Sequence, residues 1–105
     1  MIYYIYIVEC IGDKLYTGIA TDYKRRFEEH KEKKGKSAKF TKSFSVSKIV
    51  ALYKTEGRSL ALKLEYRIKQ LTKQQKLDLI NNNKYFKIYF KDILDINKYK
   101  KVKIK

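Results

Sequence analysis

The chain has 105 residues, with 26 Lys and Arg against 11 Asp and Glu, for a formal net charge of +15. That length fits one domain and excludes two, and 44% hydrophobic residues supply enough apolar surface for a single core. With one cysteine, Cys10, and one histidine, His30, one chain can build neither a disulfide framework nor a Cys/His zinc site, while the charge points to a polyanionic partner.

Ile2 to Glu9 is rich in Ile, Val and Tyr and predicts a strand with two apolar faces, hence a central place in a sheet. Ile11-Gly12-Asp13-Lys14 supplies turn chemistry, and Leu15 to Ile19 returns as the antiparallel partner. Thr21 is a candidate N-cap for a helix over Asp22 to Lys33, with Tyr23 and Phe27 on one face and Arg26 and His30 projecting side by side. Lys31 to Ser47 is a basic, polar surface stretch. Lys48 to Thr55 predicts a short buried third strand. Leu60, Leu64, Ile68 and Leu71 recur at helical spacing and predict an amphipathic helix over Gly57 to Leu71. Thr72 with Gln75 forms a capping-box pattern for a helix through Ile80, which Asn81-Asn82-Asn83 ends.

Lys84 to Lys105 mixes Tyr, Phe and Ile with lysine. It reads as a basic aromatic extension to a domain over residues 1–83, forming a strand, a helix or a tail that orders on binding. On that reading its removal lowers nucleic-acid affinity and leaves the fold in place. The element order predicts a small α+β domain, a mostly antiparallel three-stranded sheet flanked by helices. No run approaches the roughly 18 apolar residues of a membrane span, and the start lacks the basic and small-residue features of a signal peptide. The expectation is a soluble cytoplasmic protein, nucleoid-associated in a bacterial host.

Four scattered glycines build neither a Walker-type phosphate loop nor a Gly-x-Gly-x-x-Gly turn, and no serine sits in a nucleophile-elbow context. Glu65 is more informative, because Ala61, Leu64 and Ile68 are its helix neighbours and place its carboxylate at the margin of the buried stripe. Such a group calls for a nearby cation or a metal ion. On pattern alone it flanks the core and pairs with Lys69, and Arg26 and His30 belong to a solvated helix face.

Taken in order, Tyr4-Ile5-Tyr6, then Leu15-Tyr16-Thr17-Gly18, Asp22-Tyr23-Lys24-Arg25-Arg26 with His30, and Glu65 before Ile68-Lys69-Gln70-Leu71 resemble the GIY-YIG endonuclease domain, in its short stand-alone subfamily. The resemblance covers residues 2–80. Tyr4 stands where the family name has Gly and Thr17 where it has Ile, and only Asn81 to Asn83 lie near the place of the family's late asparagine.

The resemblance implies a metal-dependent endonuclease that hydrolyses phosphodiester bonds, with a role in DNA repair or recombination. Tyr6 would be the general base or water-positioning group, Tyr16 and His30 its neighbours, Arg26 the phosphate clamp, Glu65 the ligand of one Mg²⁺ or Mn²⁺, and Gly18 a structural residue of the site. A single carboxylate suffices chemically, since Mg²⁺ keeps several waters. A free tyrosine titrates near pH 10, so phenolate at neutral pH needs neighbouring cations.

Arg25, Lys36, Lys39, Lys42 and Lys69 are candidate nucleic-acid contacts. The expected partner is nucleic acid, DNA favoured over RNA and read by structure or backbone, with no membrane. The chain itself would be a monomer or weak dimer, or one subunit of a larger nuclease assembly. The competing class is a non-catalytic nucleic-acid binder on the same fold, in which lysines neutralise phosphates and aromatic rings stack on bases.

Overall fold

The computed structural model describes residues 1–32 and 46–104. Strands β1 (Ile2–Cys10), β2 (Lys14–Ala20), β3 (Val46–Glu56) and β4 (Tyr99–Lys101) form one sheet in the order β2-β1-β3-β4, every neighbouring pair antiparallel. Helix α1 (Tyr23–Glu32) follows the first hairpin. Helices α2 (Arg58–Lys69), α3 (Lys73–Asn81) and α4 (Lys84–Phe90) follow β3.

β1 explains the layering. It pairs with β2 on one side and β3 on the other, so its backbone is satisfied throughout and both its faces are covered. Ile5 and Ile7 face a core shared with Ala51, Tyr53, Ala61, Leu64, Ile68, Leu79, Phe86, Phe90 and Tyr99. Tyr6, Val8 and Cys10 face the other way, into a second cluster with Val46 and Leu52, against which Tyr23 and Phe27 of α1 pack. A strand buried on both faces reads as a continuous apolar run, as the sequence of β1 does.

The turn after β1 puts Gly12 at φ 87° and Asp13 at φ 60°, residue types that tolerate the left-handed region at low cost. The N-cap of α1 is Asp22, not Thr21: the Asp22 Oδ1 accepts from the Arg25 N–H at 3.1 Å, and a carboxylate there also suits the positive end of the helix dipole. The capping box of α3 is as expected, with Gln75 N–H donating to Thr72 Oγ1 at 3.1 Å and Thr72 N–H to Gln75 Oε1 at 2.9 Å.

The C-terminal segment departs from the expected extension. Residues 84–104 are continuous with the main core: α4 buries Phe86 and Phe90, and β4 is a fourth strand on the edge of β3, Thr55 pairing with Tyr99 and Tyr53 with Lys101. The Tyr99 hydroxyl donates to the Leu60 carbonyl at 2.7 Å, and the Thr55 hydroxyl to the Lys98 carbonyl at 2.7 Å. Helical spacing of Phe86 and Phe90, with Tyr99 returning to their level, gives this segment an apolar face that its lysines mask in composition. The boundary drawn at residue 83 therefore falls inside one packed unit, and the sheet has four strands.

Lys36, Lys39 and Lys42 lie outside the described residues, as does most of the basic stretch expected over Lys31 to Ser47. Among the described residues no helix is long and apolar enough to cross a membrane.

Candidate active site

The β1–β2 register pairs Tyr4 with Ala20, Tyr6 with Gly18 and Val8 with Tyr16. Since side chains alternate along a strand, all six share the face under α1. The Tyr6 ring leans across its neighbour strand: a Cβ built on Gly18 would stand 2.6 Å from the Tyr6 hydroxyl oxygen and 2.7 Å from Cζ. Gly18 is there because the phenol occupies the space of its side chain. A side chain at this position would collide with the Tyr6 ring, and the backbone φ of Gly18 is not the reason for the glycine.

Helix α1 supplies the other wall. His30 is fully buried, and its Nε2 lies 3.2 Å from the Tyr6 hydroxyl. Its ring also meets Tyr16 edge-on, with centroids 5.1 Å apart. Arg26, one turn earlier, is partly buried and holds Glu29 Oε1 at 2.8 Å through Nη1. The solvated-face expectation is corrected here for His30, whose imidazole points into the sheet because Tyr23 and Phe27 turn that side of α1 inward.

Glu65 stands on the flank of α2, beside a stripe of Ala61, Leu64 and Ile68 that is buried without remainder. Its carboxylate is 19% exposed and 3.6 Å from the Lys69 ammonium, the partner that the helix pattern predicts. It is also close enough to act electrostatically on both Tyr6 and Tyr16. One chain segment each from β1, β2, α1 and α2 thus brings Tyr6, Tyr16, Arg26, His30 and Glu65 into mutual range.

The asparagines are elsewhere. Asn82 Oδ1 accepts from the N–H of Lys84, the first residue of α4, at 3.0 Å, and Asn83 borders a hollow with Tyr53 and Tyr99, which belong to the opposite face of the sheet. Arg25 is largely exposed, with its Nε 3.9 Å from Glu29 Oε2. Glu29 was not legible as a site residue, although its spacing of three and four from the two arginines is the signal that would have found it.

The field of the site runs against the simplest base. Burial, and then the neighbouring Tyr16, push the Tyr6 phenol up to about 12, although Arg26 pulls the other way. Tyr16 is also raised, chiefly by burial. Tyr6 is therefore neutral at pH 7 in the protein alone, and the nearby cations do not by themselves produce the phenolate that the sequence argument asked of them. His30 is held below the ordinary imidazole value by burial and then by the Arg26 charge, with Glu29 opposing. A neutral imidazole with its proton on Nδ1 offers Nε2 as acceptor to the Tyr6 hydroxyl.

This depression has a measurable consequence. Above the folded value and below about pH 6.5, the unfolded chain binds the proton that buried His30 refuses, so stability is lost as pH falls through that window. The thermal midpoint should drop as pH falls below about 6.5, and His30→Gln should flatten that limb. An unchanged limb in the variant would assign it to other groups.

A second consequence concerns Gly18. In Gly18→Ala the new methyl must displace a ring already clasped by His30, and overpacking of this kind costs about 1–3 kcal/mol. The expected result is a lower thermal midpoint together with loss of the Tyr6–His30 contact, seen as a shift of the His30 imidazole resonances. Unshifted resonances would mean that the ring has room.

Among the described residues no three His, Cys, Asp or Glu side chains converge on one point. Among the described residues the carboxylates at the site are Glu65 and Glu29, and Glu29 is taken up by Arg26, which leaves Glu65 as the donor. That fits a hard divalent cation that keeps most of its waters and takes further oxygens from a phosphate, and it does not fit zinc or another metal needing a full protein shell.

Comparison with known proteins gives the family. The GIY-YIG catalytic domain model matches residues 2–78. The chain is 41% identical over 105 residues to a UPF0213 protein of Fusobacterium nucleatum, covering 100% of this chain and 97% of that one, so that match runs through α4 and β4. It is 42% identical over 78 residues to the UPF0213 protein YhbQ of Escherichia coli, covering 74% of this chain and 76% of the relative. The solution NMR structure of a UPF0213 protein from Bacillus halodurans is 29% identical with a TM-score of 0.48, covering 77% of this chain and 84% of that one. The catalytic-domain match over residues 2–78, well over half of the chain, shows that it belongs to the GIY-YIG family.

Proposed function

We propose that the protein is a phosphodiesterase acting inside nucleic-acid strands, an endonuclease that depends on one divalent cation, Mg²⁺ or Mn²⁺. The observation that carries this reading is the Tyr6 hydroxyl, fixed over Gly18 and 3.2 Å from His30 Nε2, with Arg26 and Glu65 both in electrostatic range. A binding surface has no use for a buried phenol–imidazole pair, whereas hydrolysis needs a group that takes a proton from water.

His30, kept neutral, is the terminal acceptor. As a water oxygen bonds to phosphorus and the ester P–O bond opposite it breaks, the water proton passes to the Tyr6 oxygen and the Tyr6 proton to His30 Nε2, while the departing alkoxide takes a proton from solvent; the high proton affinity of the phenol is no obstacle because no free phenolate accumulates. The Arg26 guanidinium, planar and permanently charged, donates to the non-bridging oxygens on which negative charge develops. Glu65 would hold the divalent cation, which when bound would supply positive charge to the phosphate. Tyr16, edge-on to His30, keeps the imidazole in register with Tyr6.

The substrate class follows from charge. A chain of +15 attracts polyanions without reading base edges, and Arg25 and Lys69 flank the site as exposed phosphate contacts. Recognition of backbone and shape in DNA, ahead of RNA, is the reading adopted. The test is cleavage of end-labelled DNA and RNA of several structures with and without Mg²⁺. Internal cuts that require the cation support the reading. Salt-sensitive binding of every substrate without any cut would make the protein a binding module on this fold.

A further inference from the structure

We propose that Glu29 is a positioning residue, which holds the Arg26 guanidinium in place for the scissile phosphate. The inference rests on the phosphodiesterase reading of the site and adds a residue to it. Glu29 lies three residues after Arg26 and four after Arg25 on α1, so its carboxylate reaches both: Oε1 takes Arg26 Nη1 at 2.8 Å, and Oε2 stands 3.9 Å from Arg25 Nε. The two contacts are unequal in setting. Arg25 is 70% exposed, while Arg26 and Glu29 are 26% and 31% exposed, so the Arg26 pair is the better shielded from solvent and salt.

A carboxylate beside a phosphate-binding arginine is repulsive toward the substrate. Its presence makes chemical sense if it does something for turnover, and the geometry points to what that is. The guanidinium has five N–H donors in a rigid fork. Nη1 is tied to Glu29, and the same guanidinium interacts with the Tyr6 phenol, so a fork held by Glu29 has further donors to offer a phosphate that reaches the phenol. Without Glu29, the long arginine side chain regains its rotamers and the fork no longer meets the developing charge in a fixed orientation.

The experiment compares Glu29→Ala and Glu29→Gln. The amide keeps an acceptor oxygen for Nη1 and removes the charge; alanine removes both and, being a strong helix former on a partly exposed position, leaves α1 folded. Glu29→Ala should lower kcat about 10- to 100-fold with KM unchanged or lower, and Glu29→Gln should retain kcat to within about threefold. In an Arg26→Lys background, Glu29→Ala should lower kcat no further, because the residue it positions is gone.

An unchanged kcat in Glu29→Ala, or a full further loss in the Arg26→Lys background, overturns the proposal. The side-chain Nε–H resonance of Arg26 in the metal-free protein is read in parallel, sharp in wild type and Glu29→Gln and exchange-broadened in Glu29→Ala. That reading holds even if the wild type cuts nothing, which would refute the nuclease reading on its own. A resonance equally sharp in all three proteins refutes the positioning role.

Discussion

A chain ending at Asn83 should not fold. It lacks Phe86, Phe90 and Tyr99, all buried in the core that α2 and the sheet share, and it leaves the edge of β3 unpaired where β4 had covered it. Removing a single buried phenylalanine typically costs about 3–5 kcal/mol, against a total stability of about 5–15 kcal/mol for a domain. Three such rings amount to most or all of that margin. The truncated protein should therefore show no cooperative thermal transition and little protection of Tyr53, whose ring packs on Phe86 at 5.0 Å. Phe90→Ala in the full chain is the milder form, with a midpoint lowered by about 4–8 °C for each kcal/mol lost. A truncated chain that melts cooperatively at the full-length midpoint would show that residues 84–104 only rest on the core.

The second large effect is on turnover. Tyr6→Phe keeps the ring that fills the space over Gly18 and removes only the hydroxyl that faces His30. Loss of a positioned acid–base group typically costs about 10²–10⁴ in rate, whereas loss of one hydrogen bond in a buried pair costs about 1 kcal/mol of stability. The expected outcome is a kcat reduced by about 10²–10⁴, KM little changed, and a midpoint lowered by only a few degrees. If activity and the midpoint collapse together, Tyr6 is a packing residue. If activity survives, the proton leaves by another route.

Much of the fold was legible because its periodicities are local. The capping box at Thr72, the Leu64 and Ile68 spacing of α2 and the two-faced apolar run of β1 each follow from a few neighbouring residues. The C-terminal segment was not, because Phe86 and Tyr99 find partners at Tyr53 and Leu60, more than 30 positions back along the chain. Only tertiary packing shows that lysine-rich helix and edge strand to be part of the core.

At the site, the ordered residues Tyr6, Tyr16, Gly18, Arg26, His30 and Glu65 could be named from the resemblance, and the structure brings them into range of one another. Two of their physical reasons could not be. That Gly18 makes room for a ring is a cross-strand fact set by the Tyr6–Gly18 register. That Tyr6 is pushed up while His30 is held neutral depends on burial, which composition does not report.

The central claim is that Glu65 holds the cation of a phosphodiesterase, and single-turnover cleavage by Glu65→Gln beside its nucleic-acid affinity tests it most directly. The amide conserves volume and weakens the hold on a hard cation, and removing a negative charge cannot weaken phosphate binding directly. In Glu65→Gln, Mg²⁺-dependent cleavage should be nearly abolished while affinity stays equal or rises. A Glu65→Gln protein that cuts as fast as wild type at saturating substrate and limiting Mg²⁺ would contradict it.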